Sequence, residues 1–390
     1  MPNSSYDKGE FVEKDASGIH LSAVVMSHPR RAELARDMCL AHPELGLTVV
    51  SDPEPDGIPS AWRTARLAWR SVAPGATHHL VLQDDLVLVP DFATRVREAV
   101  AARPEDPLSL FVEWGSRTAT TVRIAAAHGL AWAPVVDDYI PCAALVMPAD
   151  VARGFDAFAA AESTESDPDD VVLLEYLARS GLTTWAAVAN LAQHDAVESL
   201  VGNTTMGLRR SVNFSPLPTP GPALGNALTS VPAVPYYDWW SQQATLFVPD
   251  DSTVDGWGQI RSGPALDRWG VTPHEVEAEL VGVLPQVPSV ARLLDLVSRI
   301  VVSEIWKTAY LIGLVSGDLA ASGGTEAPTP IAPGSAAAEA LSTLPAGALR
   351  RVVPVHRLAE VGELLTPVVL AGVAAGTRRA RTAGAAPAEM

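Results

Sequence analysis

The sequence HHLVLQDDLVLVPDF at residues 78–92 joins two short apolar runs through Gln83, Asp84 and Asp85. The first run, residues 79–82, is rich in Leu and Val, which is typical of a strand buried on both faces of a parallel sheet. Open α/β sheets bind ligands beyond the carboxyl ends of their strands, where this acidic pair lies. Buried paired carboxylates need a neutralising partner, and a divalent cation with oxygen ligands is the usual one.

Apolar runs and helical patterns alternate on the amino-terminal side of this stretch. Residues 19–26 and 47–50 predict strands, and residues 60–72 predict a helix that starts at a Ser cap. Strand, helix, strand, helix, strand is the order expected of a parallel sheet with crossover helices. The plainer alternative for the acidic pair is a strand that ends on a wet surface, because Asp is common in turns.

Composition excludes several classes of function. The chain has 390 residues, of which 48% are hydrophobic, and a formal net charge of −17, which opposes binding of nucleic acid or of anionic membranes. Two cysteines are too few for a disulfide framework, and the polar first residues show no secretory signal. The apolar stretch 364–376 is short for a membrane span and carries Pro367. We therefore expect a cytoplasmic protein with no membrane span.

The pattern of apolar strand, Gln83-Asp84-Asp85, apolar strand and Pro-Asp-Phe resembles the acidic DxD-type signature of glycosyltransferases with the GT-A fold, and is family-2-like. The resemblance covers roughly residues 19–205, and Gln83 departs from the first acidic position of the strict motif. It implies an α/β, Rossmann-like fold with a mixed, mostly parallel sheet and flanking helices. It also implies that Asp85 binds Mn²⁺ or Mg²⁺ and that Asp84 faces the ribose or sugar of a nucleotide diphosphate sugar.

The same resemblance implies that loops after the first two strands hold the nucleotide. Turn formation and solvent-facing helix arginines are the plainer interpretations of these residues. The implied donor-binding residues are Ser27, His28, Arg31 and Asp52 beside the nucleobase, Arg63 or Arg66 near the diphosphate, and Gln83 and Asp84 beside the sugar.

A second acidic group starts a predicted helix at residues 167–170, DPDD. Asp169 and Asp170 suit the positive end of the helix dipole, and Pro168 suits its first turn, so capping alone accounts for them. Glycosyltransferases of the resembled fold place a catalytic or acceptor-binding carboxylate at this kind of helix start. An inverting transferase needs one carboxylate as a general base, which makes Asp169 or Asp170 the candidate.

His194 lies in a run that resembles the late leucine-x-x-histidine segment of GT-A enzymes. On that resemblance its imidazole completes the metal shell, and a neutral imidazole with carboxylates is a sensible Mn²⁺ ligand set. The alternative is a histidine that caps the end of a strand. Residues 199–203 would form a lid over the donor.

The domain prediction divides the chain by composition, and the carboxy-terminal helices offer an apolar face for a small helical domain or a homo-oligomer. The aromatic cluster at residues 236–240 favours attachment of this part to the core over stacking on a sugar. The predicted segments are a flexible arm (1–18), the GT-A-like domain (19–214), a Pro/Gly-rich linker (215–235), a helical region (236–316), a low-complexity loop (317–340), a helical segment (341–376) and a disordered tail (377–390).

The function expected from the sequence is transfer of a sugar from a nucleotide diphosphate sugar to a natural product, peptide or glycan, with inversion. Two alternatives stay open. One is a catalytically silent GT-A-like binding or scaffold module, which Gln83 favours, and the other is a nucleotidyltransferase, which shares the sheet and the need for a metal.

Overall fold

The computed structural model describes residues 18–195, 197, 200, 202–214, 224–253, 255–323 and 331–384. Its strands are β1 (Leu21–Ser27), β2 (Thr48–Ser51), β3 (His78–Gln83), β4 (Leu86–Leu88), β5 (Leu108–Ser109), β6 (Trp132–Pro134), β7 (Ala144–Pro148), β8 (Trp185–Ala187), β9 (Ala192–His194), β10 (Val234–Asp238), β11 (Gln243–Pro249) and β12 (Trp257–Arg261). Its helices are α1 (Ala32–Ala41), α2 (Trp62–Arg70), α3 (Phe92–Ala102), α4 (Arg117–Ala127), α5 (Ala149–Glu162), α6 (Asp169–Arg179), α7 (Ser262–Asp267), α8 (Pro273–Val283), α9 (Val290–Leu296), α10 (Arg299–Ala321), α11 (Ala336–Ser342), α12 (Leu344–Leu349) and α13 (Val355–Gly384).

The central sheet has seven strands in the order β2-β1-β3-β7-β5-β8-β6. β1 pairs in parallel with β2 and β3, and β5 pairs in parallel with β8. β7 is antiparallel to both β3 and β5, and β6 is antiparallel to β8. The sheet is therefore mixed and mostly parallel with helices around it, which confirms the α/β class predicted from the sequence.

Strand β3 is apolar throughout its centre because helices cover both of its faces. Leu80 and Leu82 share one core cluster with Phe92 of α3. Val81, which points the other way, shares a second cluster with Trp69 of α2. A strand with two buried faces has no polar alternation.

β4 and β9 form a separate two-stranded antiparallel ribbon. Leu86 lies opposite His194 in this ribbon. The main-chain N–H of Asp195 donates to the carbonyl oxygen of Asp85 over 2.8 Å. The ribbon therefore brings Asp85 and His194 together, although more than a hundred residues of chain separate them.

The predicted helical region at 236–316 is wrong at its start, where β10, β11 and β12 form a three-stranded antiparallel sheet. Aromatic and β-branched residues favour strands there, and Tyr237 and Leu246 are buried against α10 and its neighbours. Of the predicted linker, residues 215–223 lie outside the described residues. The part that follows runs beside β6, where Trp132 Nε1 donates to the carbonyl of Leu224 over 2.8 Å.

The predicted boundaries near the carboxyl end also differ from the structure. α10 continues to Ala321 and α11 begins at Ala336, so both ends of the predicted loop 317–340 are helical, whereas residues 324–330 lie outside the described residues. α13 runs through Pro367 and on to Gly384, into the predicted tail 377–390. Packing of α13 against α10 outweighs the local preferences of Pro and Gly here. Residues 1–17 of the predicted arm and 385–390 of the tail are not described.

One hydrophobic core joins the carboxy-terminal helices to the α/β part. It includes Val122 of α4, Ile305 of α10 and Val369 of α13. Arg123, buried on α4, donates from Nε to the carbonyl of Ala340 over 2.9 Å, and burial lowers its pKa to about 9. The helices are therefore part of the same folded body as the sheet.

Two helices are long and apolar enough to span a membrane by length and composition, Arg299–Ala321 and Val355–Thr382. Within its most apolar window the first is 83% buried inside the protein and the second 50%. Core helices of soluble proteins pass the same test, so this is weak evidence for a span. The absence of a membrane span and the cytoplasmic location stay predictions.

Candidate functional site

A cleft of about 330 Å³ opens at the carboxyl ends of β1, β2 and β3. Most of the residues predicted from the sequence for donor, metal and acceptor line this single cleft. They are Ser27, His28, Arg31, Asp52, Arg63, Gln83, Asp84, Asp85, Asp169 and Asp170. His194 and Arg66 are not part of the lining, although His194 contacts Asp85.

The acidic pair is buried and shares one cation, the guanidinium of Arg31. Asp84 and Asp85 are each only 6% exposed, and Arg31 Nη1 lies 3.3 Å from Asp84 Oδ1 and 2.9 Å from Asp85 Oδ2. Among the described residues, Asp84 Oδ2 and Asp85 Oδ1 are buried without a hydrogen-bond partner. Burial raises the pKa of Asp84, and the charge of Asp85 raises it further. The contacts with Ser27 and Arg31 act to lower it but do not outweigh burial. Carboxylate oxygens in this condition remain available to a further cation.

His194 places its Nε2 atom, a hydrogen-bond acceptor, beside the acidic pair. Its Nδ1 lies 2.6 Å from the carbonyl oxygen of Asp195, which can only accept, so Nδ1 carries the proton and Nε2 is the acceptor. Nε2 accepts from Arg209 Nη2 over 2.7 Å and lies 3.3 Å from Asp85 Oδ2. Burial lowers the pKa of His194 despite the charge of Asp85, and the charge of Arg209 lowers it further, which favours the neutral ring.

These residues fit a divalent cation. Asp85 Oδ2 and His194 Nε2 are two acceptors 3.3 Å apart, and neighbouring ligands of an octahedral ion with bonds of about 2.1 Å lie about 3 Å apart. A carbonyl that fixes the other imidazole nitrogen is the usual support for a ligating histidine. No group of three or more His, Cys, Asp and Glu in the described part of the chain is arranged to hold an ion by itself. Further ligands would therefore come from the substrate and water.

Asp52 and Arg63 form another part of the wall of the cleft. Arg63 Nε and Nη2 each lie 3.2 Å from an oxygen of Asp52, and Nη1 donates to Glu165 over 3.1 Å and to the carbonyl of Ile58 over 3.0 Å. Burial acts to raise the pKa of Asp52, but the hydrogen bonds from Arg63 and from the N–H of Glu54 outweigh it, and the pKa is lowered. The guanidinium of Arg63 thus anchors the loop after β2, and Arg63 lines the cleft. Its contact with a diphosphate stays a prediction.

Arg66 does not line the cleft, so the structure does not support its predicted approach to the donor. Its Nε lies 2.6 Å from Asp156 Oδ1 on α5, and its guanidinium lies 4.5 Å from the centre of the Trp62 ring. Arg66 follows Arg63 by nearly one helical turn, yet it contacts α5 and not the cleft. It joins α2 to α5.

We expect Arg66→Ala to change donor turnover by less than about twofold, because the side chain lies outside the cleft. The free energy of unfolding should fall by about 1 kcal/mol, from the loss of one partly exposed ion pair and one cation–π contact. Steady-state kinetics and urea unfolding measure the two effects. A selective loss of donor affinity would contradict this assignment.

Asp169 and Asp170 start α6 and line the cleft. Burial raises the pKa of Asp169 to about 7, and the neighbouring charge of Asp170 adds to the effect. The pKa of Asp170 is also raised by burial, while Arg209 acts to lower it. Capping explains why Asp is found here, yet a carboxyl that titrates near neutral pH in a cleft is also suited to proton transfer.

Sequence reasoning missed Arg209, Cys142 and Glu165. Arg209 lines the cleft and donates to His194; adjacent arginines at 209 and 210 in an acidic chain were the available signal. Cys142 lines the cleft, with its Sγ 3.9 Å from Asp169 Oδ2. Burial, and to a smaller extent the charges of Asp169 and Asp170, raise the pKa of its thiol well above its usual value. This shift favours the protonated thiol over the nucleophilic thiolate. Glu165 had no local signal.

The structure describes part of the predicted lid, and it locates the aromatic cluster outside the lining of the cleft. Ser199 and Val201 lie outside the described residues, whereas Leu200 lines the cleft. Trp239 packs under the guanidinium of Arg351, 3.6 Å from its ring centre, as expected of a cluster that attaches the carboxy-terminal part.

Comparisons of the chain with protein-family models and with curated proteins find no match.

Proposed function

We propose that the protein is a metal-dependent glycosyltransferase of the GT-A type that uses a nucleotide diphosphate sugar. The observation that carries the proposal is that Asp84, Asp85, Asp169 and Asp170 line one cleft, with His194 Nε2 3.3 Å from Asp85 Oδ2. A buried acidic pair that can hold a cation, in the same cleft as a titratable carboxyl pair, suits transfer from a phosphorylated leaving group to a hydroxyl.

In this proposal Asp85 and His194, with Asp84 beside them, hold Mn²⁺ or Mg²⁺. When bound, the ion acts as a Lewis acid toward the departing diphosphate. The loop that Arg63 holds to Asp52, together with Ser27 and His28, borders the nucleoside. His28 bridges this wall, with its Nε2 3.2 Å from the carbonyl oxygen of Pro55.

Asp169 and Asp170 supply the base. The acceptor hydroxyl gives its proton to this pair as its oxygen attacks the anomeric carbon and the nucleoside diphosphate leaves. A single displacement of this kind inverts the anomeric configuration. A pKa of about 7 keeps Asp169 ionised above neutral pH and basic enough to take the proton.

The test is incubation of the full chain with Mn²⁺ and a panel of nucleotide diphosphate sugars. Slow, metal-dependent release of nucleoside diphosphate supports the proposal. Release of pyrophosphate from a sugar phosphate and a nucleoside triphosphate would instead identify a nucleotidyltransferase. Absence of metal-dependent binding or turnover with the whole panel would favour a silent binding module.

We expect the rate to rise with pH to a plateau with a midpoint near pH 7, because Asp169 must be ionised to act as base. At pH 5 the rate should be about 100-fold below the plateau. The folded-state pKa lies above the unfolded one, so the stability that Asp169 contributes is fully present below pH 3.8 and is lost as pH rises through about 7.

Asp169→Asn should therefore remove the rise of the rate with pH. It should also remove a loss of about 2 kcal/mol in the free energy of unfolding between pH 5 and pH 8. Urea unfolding at a series of pH values measures the second effect. Asp167→Asn is the matched control, since that carboxyl lies two residues away and is exposed. An unchanged rate profile in Asp169→Asn would assign the base to Asp170.

A further inference from the structure

We propose that Arg31 is an internal counter-cation that holds the acidic pair when no divalent ion is bound and that a divalent ion must displace it. This inference rests on the proposed function, because it concerns the same ion site. It assigns Arg31 a role in controlling occupancy of that site, beyond lining the donor cleft.

The geometry of Arg31 is that of a bridging cation. A single atom, Nη1, contacts Asp84 Oδ1 at 3.3 Å and Asp85 Oδ2 at 2.9 Å. Asp85 Oδ2 is also the oxygen that lies 3.3 Å from His194 Nε2. The guanidinium therefore contacts the same oxygen that pairs with the imidazole in the candidate ligand set.

Charge balance explains why the contact is made and why it would be released. Two carboxylates only 6% exposed are costly to bury together, and one guanidinium offsets part of that cost. A divalent ion supplies two positive charges to the same carboxylates. Arg31 would then face a like charge a few ångströms away, so its attraction to the pair is weakened or reversed.

Arg31 is the cleft arginine best placed for this role. Arg63 is held by Asp52, Glu165 and main-chain carbonyls and cannot leave without opening the loop. The guanidinium of Arg209 contacts the imidazole of His194 and neither carboxylate of the acidic pair. Arg31 is the last residue of a short 3-10 turn after β1 and lines the cleft, so its released guanidinium stays beside the space where a diphosphate would bind.

Competition predicts that removing the guanidinium strengthens ion binding. If Arg31 instead formed a static structural ion pair, its removal would disorder the carboxylates and weaken ion binding. Arg31→Gln should bind Mn²⁺ about tenfold more tightly than the unmodified chain, the equivalent of one charge-assisted hydrogen bond released. Arg31→Lys keeps the charge on a shorter side chain, so its affinity for Mn²⁺ should lie between those of the unmodified chain and of Arg31→Gln.

The experiment titrates the full-length chain and each variant with Mn²⁺ and follows free Mn²⁺ by electron paramagnetic resonance, with no nucleotide present. Arg36→Gln is the matched control: it removes the same charge from an exposed position on α1 and should leave the affinity unchanged. Circular dichroism confirms that each variant is folded. Arg31→Lys keeps the test decisive should Arg31→Gln fail to fold.

The outcomes separate this inference from the function on which it rests. Tighter binding in Arg31→Gln, with Arg36→Gln unchanged, supports it. Equal or weaker binding in the folded Arg31 variants, while Asp85→Asn loses the ion, overturns the counter-cation role and leaves the ion site in place. No Mn²⁺ binding by the unmodified chain or by any Arg31 variant overturns both.

Discussion

Asp85→Asn is expected to lower metal-dependent release of nucleoside diphosphate by about 10³-fold. The substitution keeps the shape of the side chain but removes the charge that faces the cation, and loss of one group that stabilises a developing charge typically costs this much. Asp85 is the residue on which the candidate ion site depends most, since its Oδ2 pairs with both Arg31 and His194. Initial rates at saturating Mn²⁺ and donor measure the effect.

Asp91→Asn is the control for this substitution. Asp91 lies on the same short stretch of chain but outside the cleft, beside Arg95. We expect its rate to stay within about twofold of the unmodified chain, since an exposed ion pair contributes little. Near-normal release by Asp85→Asn, with the fold intact by circular dichroism, would remove the ion from the proposed chemistry.

Gly376→Ala is expected to lower the free energy of unfolding by about 3 kcal/mol, because α10 and α13 approach too closely there for a methyl group. A Cβ at Gly376 would lie 2.0 Å from the carbonyl oxygen of Tyr310 and 2.9 Å from the N–H nitrogen of Leu314. Both are backbone atoms of a buried helix, so the two helices must move apart. Gly313 meets the carbonyl of Val373 across the same interface.

Gly362→Ala on the same helix is the control for Gly376→Ala. A Cβ at Gly362 would first meet the Cβ of Ala346 at 3.4 Å, which is close to ordinary van der Waals contact. The higher helix propensity of Ala should then leave stability equal or raise it by up to about 1 kcal/mol. Urea unfolding of both variants gives the comparison, and equal losses would show that helix separation is not what limits position 376.

The sheet and its ligand-binding edge could be predicted because their signals are local. Residues 79–82 are apolar without alternation, and Gln83, Asp84 and Asp85 follow directly, so a topological rule was enough to locate them at the cleft. The same holds for Ser27 and Asp52 after the two neighbouring strands. In each case the position along the strand fixes the position in space.

The roles of side chains on α2 could not be predicted because they depend on distant partners. Arg63 and Arg66 have similar local surroundings, but Glu165 and Asp156 lie about a hundred residues further along the chain. Only the folded structure shows that these carboxylates draw the two arginines to different places. Arg209 was missed for the same reason, since its partner His194 belongs to a ribbon whose pairing is not local.

The boundaries of the carboxy-terminal helices failed because packing there overrides local preference. The predicted helical segment ends at residue 376, yet α13 continues to Gly384 and packs against α10. Glycine at 376 is read locally as a helix breaker, whereas in the fold it lets two backbones meet. Local propensity cannot distinguish these two uses of one residue.

The ribbon of β4 and β9 offers a position for a label that reports binding in the cleft. Val87 stands between Leu86 and Leu88 with 48% of its surface exposed, and its neighbours on either side point inward. A small fluorescent label on a cysteine introduced there would be attached to the strand that directly follows Asp85, at a position outside the lining of the cleft. A change in its emission would then report ligand binding in the cleft in real time, without an activity assay.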